Sequence, residues 1–336
     1  RNLRQEIIAM MKFKHIFTTV LLAIFLTCNN GYCDIIKEIL TIGSPPTGNF
    51  YAVTTDSKGN IYATNHFNLI KYNKNGDYIK EYNIFNNFQT LAWGLCTDKN
   101  DNIYIASIGS IIKFDTNLSV LFKFGSYGPN LGQFSAIDVA VDLLGNIYVA
   151  DNYSSRIQKF NSNGTFILSF GKYGTGDTQF LTIKSLSIDS KNNIYVQEGT
   201  DTVSSIKIFS SNGNFIKKIN TQITTDGSKI EPLIANGAAV APNGMIVAVG
   251  GSYLHKFSSN YLPIETVAPA GLTGYDYLSG SAGYPFIDTN GKLYIADFAG
   301  KCIRVYTWGL STSTPTPTPN SNHNILVPLY NLLLED

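Results

Sequence analysis

At 336 residues, with 15% of them charged and a formal charge of +1, the chain lacks the basic surplus from which a duplex nucleic-acid binder draws most of its affinity. Its first 33 residues hold four bases and one acid, so the remainder carries 21 bases against 23 acids, and nucleic acid is not an expected partner. Twenty Tyr, 20 Phe and 29 Gly beside so few charges mix strand formers with turn formers, the composition of many short strands joined by tight turns.

In chain order, the first predicted element is an export signal over 1–33. Met11-Lys12-Phe13-Lys14 supplies a basic start, and Ile16 to Leu26 supplies an apolar run too short to span a bilayer comfortably. Met11 is the expected start, with 1–10 an extension upstream of it. Small residues at Gly31 and Cys33 favour cleavage after Cys33. Lipidation at Cys28 is the second reading, and an uncleaved anchor the third. A membrane enters only through one of these last two. Cys96 and Cys302 then remain, on repeats too far apart for a disulfide, and both read as small buried hydrophobes.

One phrase then recurs six times: an Asp, a turn, then Asn-Ile-Tyr and small apolar residues. The copies start at Asp56, Asp98, Asp142, Asp189, Ala241 and Asp288, and their Ile/Leu anchors are Ile61, Ile103, Ile147, Ile194, Ile246 and Leu293. The spacings of 42, 44, 47, 52 and 47 residues suit one four-stranded antiparallel blade per copy. Copy three shows how each reads. Ile137–Val141 is the innermost strand, and a Gly/Asn turn, where positive φ is cheap, leads to Ile147–Ala150. Arg156–Phe160 is the third strand, and the turn Asn161–Gly164 leads to the outer strand Thr165–Phe170. No stretch after residue 34 shows a sustained helical period. Copy six ends near Trp308 without an outer strand, and residues 35–42 resemble one, so this N-terminal strand is predicted to complete the last blade. Closure of that kind removes both free sheet edges. The predicted fold is therefore all-β, a six-bladed β-propeller over 34–310.

The stretch Asp142-Leu-Leu-Gly-Asn-Ile-Tyr-Val-Ala-Asp151-Asn152 with Arg156-Ile-Gln-Lys-Phe160 resembles an NHL repeat. The linkers ending in Gln133-Phe134 and Gln179-Phe180 resemble the phrase between such repeats. The resemblance spans about 35–308. It is strongest in copy three and weakest in copy five, which has lost both the Asp and the Asn-Ile-Tyr. It speaks for architecture rather than function. Recurrence of Asp151 and Arg156 as Asp297 and Arg304 implies a scaffold role, an acid–Arg contact with loop amides.

In six-bladed propellers of this kind ligands meet the ring where loops entering the innermost strands converge with loops leaving the second strands. Carried onto this chain, that face holds His66, Trp93, Asp138, Glu198, Asn236 and Tyr284 as candidate ligand-binding residues. Asp138 and Tyr284 stand where the family favours Gly. Asp138 is the best candidate for a metal ligand or for meeting an amine, with a bound channel water as the plainer reading. Zinc needs several converging His, Cys or carboxylate ligands. Past the signal only His66, His255 and His323 remain, and they are scattered. No cofactor is expected. Calcium, which needs only oxygens, is the alternative, with Asp138 and either Asn236 or Glu198 as its ligands. No Gly-x-Ser-x-Gly elbow or paired His marks a nucleophile.

Sequons occur at Asn117, Asn152 and Asn163. After Trp308 come a Ser/Thr/Pro linker over 311–322, read as extended, and a short apolar tail over 323–336. The reading is an exported, secreted or surface-held module, leaning to non-enzymatic, that binds a protein, peptide or glycan by the loop face around its channel. The alternatives are a metal-dependent lyase or lactone hydrolase with its site at the channel mouth, and a purely structural role in a cell envelope.

Overall fold

Each Asp-turn-Asn-Ile-Tyr phrase forms the hairpin between the first two strands of a blade. The computed structural model describes residues 37–43, 49–200, 202–233, 235–250, 253–268, 285–298 and 300–307. The export signal, the 311–322 linker, the 323–336 tail and Tyr284 lie outside them. The described chain opens with β1 (Lys37–Gly43). Blade 1 is β2 (Ala52–Thr55), β3 (Ile61–Thr64), β4 (Asn68–Tyr72) and β5 (Tyr78–Asn83), followed by a one-turn helix α1 (Ile84–Phe88). Blade 2 is β6 (Ala92–Thr97), β7 (Ile103–Ser107), β8 (Ser110–Phe114) and β9 (Val120–Phe124). Blade 3 is β10 (Ala136–Val141), β11 (Ile147–Asp151), β12 (Arg156–Phe160) and β13 (Phe166–Phe170). Blade 4 is β14 (Ile183–Ile188), β15 (Ile194–Gly199), β16 (Ser204–Phe209) and β17 (Phe215–Ile219). A small hairpin, β18 (Thr221–Ile223) with β19 (Ile230–Pro232), takes up the long spacing before blade 5. Blade 5 is β20 (Gly237–Val240), β21 (Ile246–Gly250), β22 (Tyr253–Phe257) and β23 (Pro263–Val267), and the chain ends in β24 (Pro285–Ile287), β25 (Lys292–Asp297) and β26 (Cys302–Thr307).

The last three strands lack an outer neighbour of their own, and β1 supplies it. The sixth sheet runs β1-β26-β25-β24, with Ile42 opposite Ile303 and Thr41 opposite Arg304. The chain is thus an all-β, six-bladed propeller of four-stranded antiparallel blades, closed by its N-terminal strand. Among the described residues, the helix α1 and the β18–β19 hairpin depart from the predicted strand list. Both are too short for a hydrophobic period to register.

Burial explains why the second strands read as unbroken apolar runs. Every residue of β11 is buried, because both of its faces pack on neighbouring blades. The outer strand β9 is exposed or half-buried throughout. The core is a set of wedges between blades. Phe134, Val149 and Phe160 join Tyr104 and Ile111 between blades 2 and 3, and Phe180, Val196 and Phe209 join Tyr148 and Ile157 between blades 3 and 4. The wedge between blades 1 and 6, which holds Ile42, Phe50, Tyr294 and Ile303, spans the closure. Truncating one such ring to Ala costs about 3–5 kcal/mol.

The linker phrases drive these wedges. Phe134 and Phe180 are fully buried, and Gln133 and Gln179 accept from the Asn130 and Gly176 N–H groups to shape the preceding turns. Gly125, at φ +97°, lies where a Cβ would be 2.3 Å from the Phe134 ring, so only Gly lets this Phe seat. Arg156 fastens the same linker. Its Nε donates to Asp151 Oδ2 at 2.9 Å, and its Nη2 donates to the Pro129, Asn130 and Gln133 carbonyls. Arg304 does the corresponding work at the closure, donating to Asp297 Oδ2 at 2.7 Å and to Glu38 Oε2 of β1 at 3.0 Å.

Candidate functional site

The inner strands of blades 2, 3 and 4 slip register where they enter the channel, between Ala92 and Leu95, Ala136 and Asp138, and Ile183 and Ser185. A bulge of this kind lifts one residue out of the ladder and re-aims its side chain. Trp93, Ile137 and Lys184 are the residues so placed. Tyr51 and Asn236 stand at the corresponding position, one residue before the entrance of blades 1 and 5. The loop-side mouth of the channel is built from this ring.

One half of the mouth is aromatic. Tyr51 stacks on His66 with ring centroids 3.4 Å apart, and His66 meets Trp93 edge-on at 4.4 Å. Phe298, in the loop between β25 and β26, packs edge-on against Tyr51 at 5.1 Å. Three blades thus contribute to one half-buried cluster. His66 holds a left-handed backbone at φ +73°, uncommon for a residue with a Cβ. Its carbonyl accepts from the Ala92 N–H at 2.7 Å, and its Nδ1 lies 3.2 Å from the Ala92 carbonyl. Burial lowers the imidazole pKa from its usual 6.5, partly offset by that carbonyl. Thr64 Oγ1 also donates to the Trp93 carbonyl at 2.8 Å, fixing the Trp93 backbone.

The other half is polar. Lys184 Nζ donates to Asn236 Oδ1 at 2.7 Å, linking blades 4 and 5. Glu198 belongs to the interior of blade 4. It accepts from Ser205, lies 3.2 Å from Lys207 Nζ and caps the Leu181 N–H. Lys207 in turn donates to the Gly176 and Gln179 carbonyls of the linker, from the register position that Gln158 holds in blade 3, so an acid–Lys pair fastens this linker where Asp151, Arg156 and Gln158 fasten the one before it. His255 is buried in blade 5, with Nδ1 2.9 Å from Thr266 Oγ1. The structure therefore brings His66 and Trp93 together, sets Asn236 with Lys184 in the opposite half, and puts Glu198 elsewhere. Tyr51, Phe298 and Lys184 were not read from the sequence. Their signal was positional: Tyr51 and Lys184 precede the entrance position of their repeats, and Phe298 follows the repeat acid Asp297.

Asp138 sits just below the mouth, 5% exposed. Its Oδ2 accepts from the Leu186 N–H of blade 4 at 2.8 Å and its Oδ1 from the Val139 N–H at 2.9 Å. It also presses against blade 2, where a Cβ on Gly94 would lie 2.0 Å from its Oδ1. That is why Gly94 has no side chain. Burial raises the carboxyl to about 7, against the pull of both amides. Related contacts continue around the channel, where Thr97 Oγ1 donates to the Thr55 carbonyl and Ser185 Oγ accepts from the Ala238 N–H. The oxygens of Asp138, Glu198 and Asn236 are held by different partners, and no group of three His, Cys, Asp or Glu gathers as metal ligands among the described residues. Neither of the pairings read for calcium, Asp138 with Asn236 or Asp138 with Glu198, is a contact among the described residues: Asn236 turns to Lys184 and Glu198 to Ser205, Lys207 and the Leu181 amide.

On the same face as the mouth, successive loops carry exposed apolar rings. Phe67 pairs edge-on with Phe85 of α1 at 5.8 Å, and Tyr127 pairs with Tyr153 at 5.4 Å. Tyr173, in the next linker, is 72% exposed.

Comparison with known proteins agrees with this architecture. Residues 130–203 match the DUF5128 family, described as 6-bladed beta-propeller. Protein brain tumor of Drosophila melanogaster is 30% identical over 149 residues, 40% of this chain and 14% of that protein. Peptidyl-glycine alpha-amidating monooxygenase A of Xenopus laevis is 29% identical over 184 residues, 50% of this chain and 19% of that protein. The chain thus spans less than a fifth of either curated relative. Among solved structures, a streptogramin B lyase superposes with TM-score 0.55 at 14% identity, covering 82% of this chain and 97% of that one. Virginiamycin B lyase from Staphylococcus aureus gives 0.57 at 13% identity, covering 81% and 99%. At such identities the likeness to the two lyases is one of overall fold, and the six-bladed description printed for the matching family agrees with the six sheets of this chain.

Proposed function

We propose that this chain is an exported recognition propeller of the NHL type that binds a protein or peptide partner with its loop face. One observation carries the reading: aromatic side chains stay exposed on loop after loop of that face, at Phe67, Phe85, Tyr127, Tyr153 and Tyr173. Aromatic groups left in water across neighbouring loops cost solvation unless a partner covers them, and exposed apolar patches mark interaction surfaces. The Tyr51–His66–Trp93–Phe298 cluster at the centre offers such a partner a rigid, half-buried anchor point. The NHL resemblance of the repeats and the similarity to two proteins built from longer chains fit a module that presents a face.

The test is selection of peptides from a random display library against the purified propeller. Enriched peptides should lose at least tenfold in affinity with Tyr153→Ala or Tyr173→Ala, and nothing with Leu144→Ala on the opposite, turn side. Peptides indifferent to both tyrosines would sink the reading.

A second reading follows from the two lyases of the same fold. There the mouth is a lyase site, and His66, kept from its charged form by burial, is the base. Activity toward a lyase substrate that His66→Gln abolishes would favour this reading over the first.

A further inference from the structure

The channel has a second opening, on the side of the hairpin turns. There the six inner strands enclose a cavity of about 490 Å³, whose lining runs from Ser57, Leu143 and Thr289 at the turns inward to Asp138 and Ser185. Among the described residues, none of Tyr51, Trp93, Ile137, Lys184 or Asn236 lines it, so it is distinct from the loop-side mouth. Its walls are apolar, with Val53, Leu95 and Val139 among them, and they are interrupted by the hydroxyls of Thr55 and Thr97.

Two facts about charge define what suits this space. The repeat aspartates Asp56, Asp98, Asp142 and Asp189 line the outer half together with Asp101, whose carboxylate accepts from the Ser57 N–H and hydroxyl of blade 1, and Lys99 is the one basic residue of the lining among the described residues. Each of the four repeat carboxylates already caps its own turn through both oxygens, as Asp142 does for the Leu144 and Asn146 amides and the Tyr148 hydroxyl. They set a negative potential at the rim without offering themselves as ligands. Asp138 differs. It is the innermost carboxylate, it accepts only two backbone amides, and no cation pairs with it among the described residues. Desolvation without a counter-charge is the condition that raises its carboxyl.

Depth selects among cations. From Asp138 to the end of β10 at Val141 is three residues of extended chain, about 10 Å, and the Asp142–Gly145 turn forms the rim beyond it. A lysine side chain on a partner's surface reaches only about 6 Å from its Cα. A linear aliphatic polyamine about 11 Å long fits, with one ammonium at Asp138, methylenes along the apolar wall and the distal ammonium at the acidic rim. We propose that the turn-side half of the channel is a binding site for a linear aliphatic polyamine whose inner ammonium group pairs with Asp138.

The experiment is calorimetric titration of the full propeller with spermidine, 1,8-diaminooctane, butylamine and calcium, alongside melting curves. Expected is saturable, one-to-one binding of the two long amines that raises Tm, with butylamine at least tenfold weaker. Asp138→Asn should reduce long-amine affinity at least tenfold. Because that change also touches the Leu186 amide, Ser187→Lys serves as a second variant. It sets a cation in the cavity wall, leaves Asp138 intact and should also abolish binding. Circular dichroism establishes that both variants are folded. Long-amine binding unaffected by both variants, butylamine equal to spermidine, or calcium bound through Asp138 in place of amines would each overturn the proposal. The loop-face variants Tyr153→Ala and Tyr173→Ala should leave amine binding unchanged, so this site and the peptide-binding face succeed or fail separately.

Discussion

The Tyr62 hydroxyl donates to Asp56 Oδ2 at 3.0 Å inside blade 1, and this contact ties the first turn of the blade to its second strand. Asp56 also accepts from the Lys58 and Asn60 amides and from Asn60 Nδ2, so the carboxylate holds the hairpin from both ends. The pair recurs as Asp98–Tyr104, Asp142–Tyr148, Asp189–Tyr195 and Asp288–Tyr294, at 3.1 to 3.3 Å. Blade 5 has Ala241 and Val247 at these positions and has lost both partners together. The Asp and Tyr of the repeat are therefore two ends of one interaction. Tyr62→Phe should cost about 1 kcal/mol, the net worth of one hydrogen bond. Asp56→Ala should cost about 2–4 kcal/mol, because it leaves several turn donors unpaired. Urea unfolding of the single and double variants checks this. A double variant equal to the sum of the singles would show that the two side chains do not act as a pair.

Ring closure should depend on Arg304, which lies between Asp297 of β25 and Glu38 of β1. Arg304→Met removes the positive charge beside Asp297, itself only 4% exposed, and frees the outer strand. A loss of about 3 kcal/mol is expected, as for other half-broken buried pairs. Hydrogen exchange should show β1 amides opening faster than those of β11. Unchanged protection of β1 would mean that backbone pairing with β26 alone holds the closure.

Asp138 should make stability fall as pH rises. Its folded pKa of about 7 lies above the ordinary carboxyl value of 3.8, so between these values the folded chain keeps a proton that the unfolded chain releases. Below about pH 4 both states are protonated and the penalty is absent. Above about pH 7 the folded carboxylate is ionised against its burial, and the penalty levels off at roughly 4 kcal/mol. Asp138→Asn removes this titration. Denaturation at pH 4.5 and pH 8 should show the variant gaining on the parent at the higher pH. A difference between the two proteins that is the same at both pH values would rule out a raised pKa.

How much of this was legible in the sequence follows from what repeats. Asp142 and Tyr148 recur at fixed offsets in every blade but the fifth, and Ile147 recurs as Ile or Leu in all six, because the blades share one turn and one buried second strand, so blade number, strand order and closure could be read directly. The mouth could not. Its Tyr51, Trp93, Ile137, Lys184 and Asn236 share a position in the fold but no chemistry, and the bulges that aim three of them leave no compositional trace. Glu198 shows the converse difficulty. It follows a second strand as a site residue would, yet Lys207, nine positions on and outside the Asp–Arg pattern of blade 3, draws it into the scaffold.

His66 should report on the mouth through Trp93, whose ring lies 4.4 Å away. Burial lowers the imidazole pKa, so at neutral pH His66 is uncharged in its stack with Tyr51. The unfolded chain takes up a proton near pH 6.5 while the folded chain resists it. This part of the stability is fully present above pH 6.5 and is lost as pH falls from there through the lower folded value. Once protonated, the imidazolium quenches the neighbouring indole and is poorly solvated among three aromatic rings. Tryptophan fluorescence should therefore drop on acidification with a midpoint below 6.5, and His66→Gln should abolish the drop. Trp308 is common to both proteins, so any change it contributes is present in the variant as well. A drop that survives in His66→Gln would place its origin outside the cluster. A midpoint at or above 6.5 would mean that the ring is not desolvated by the mouth.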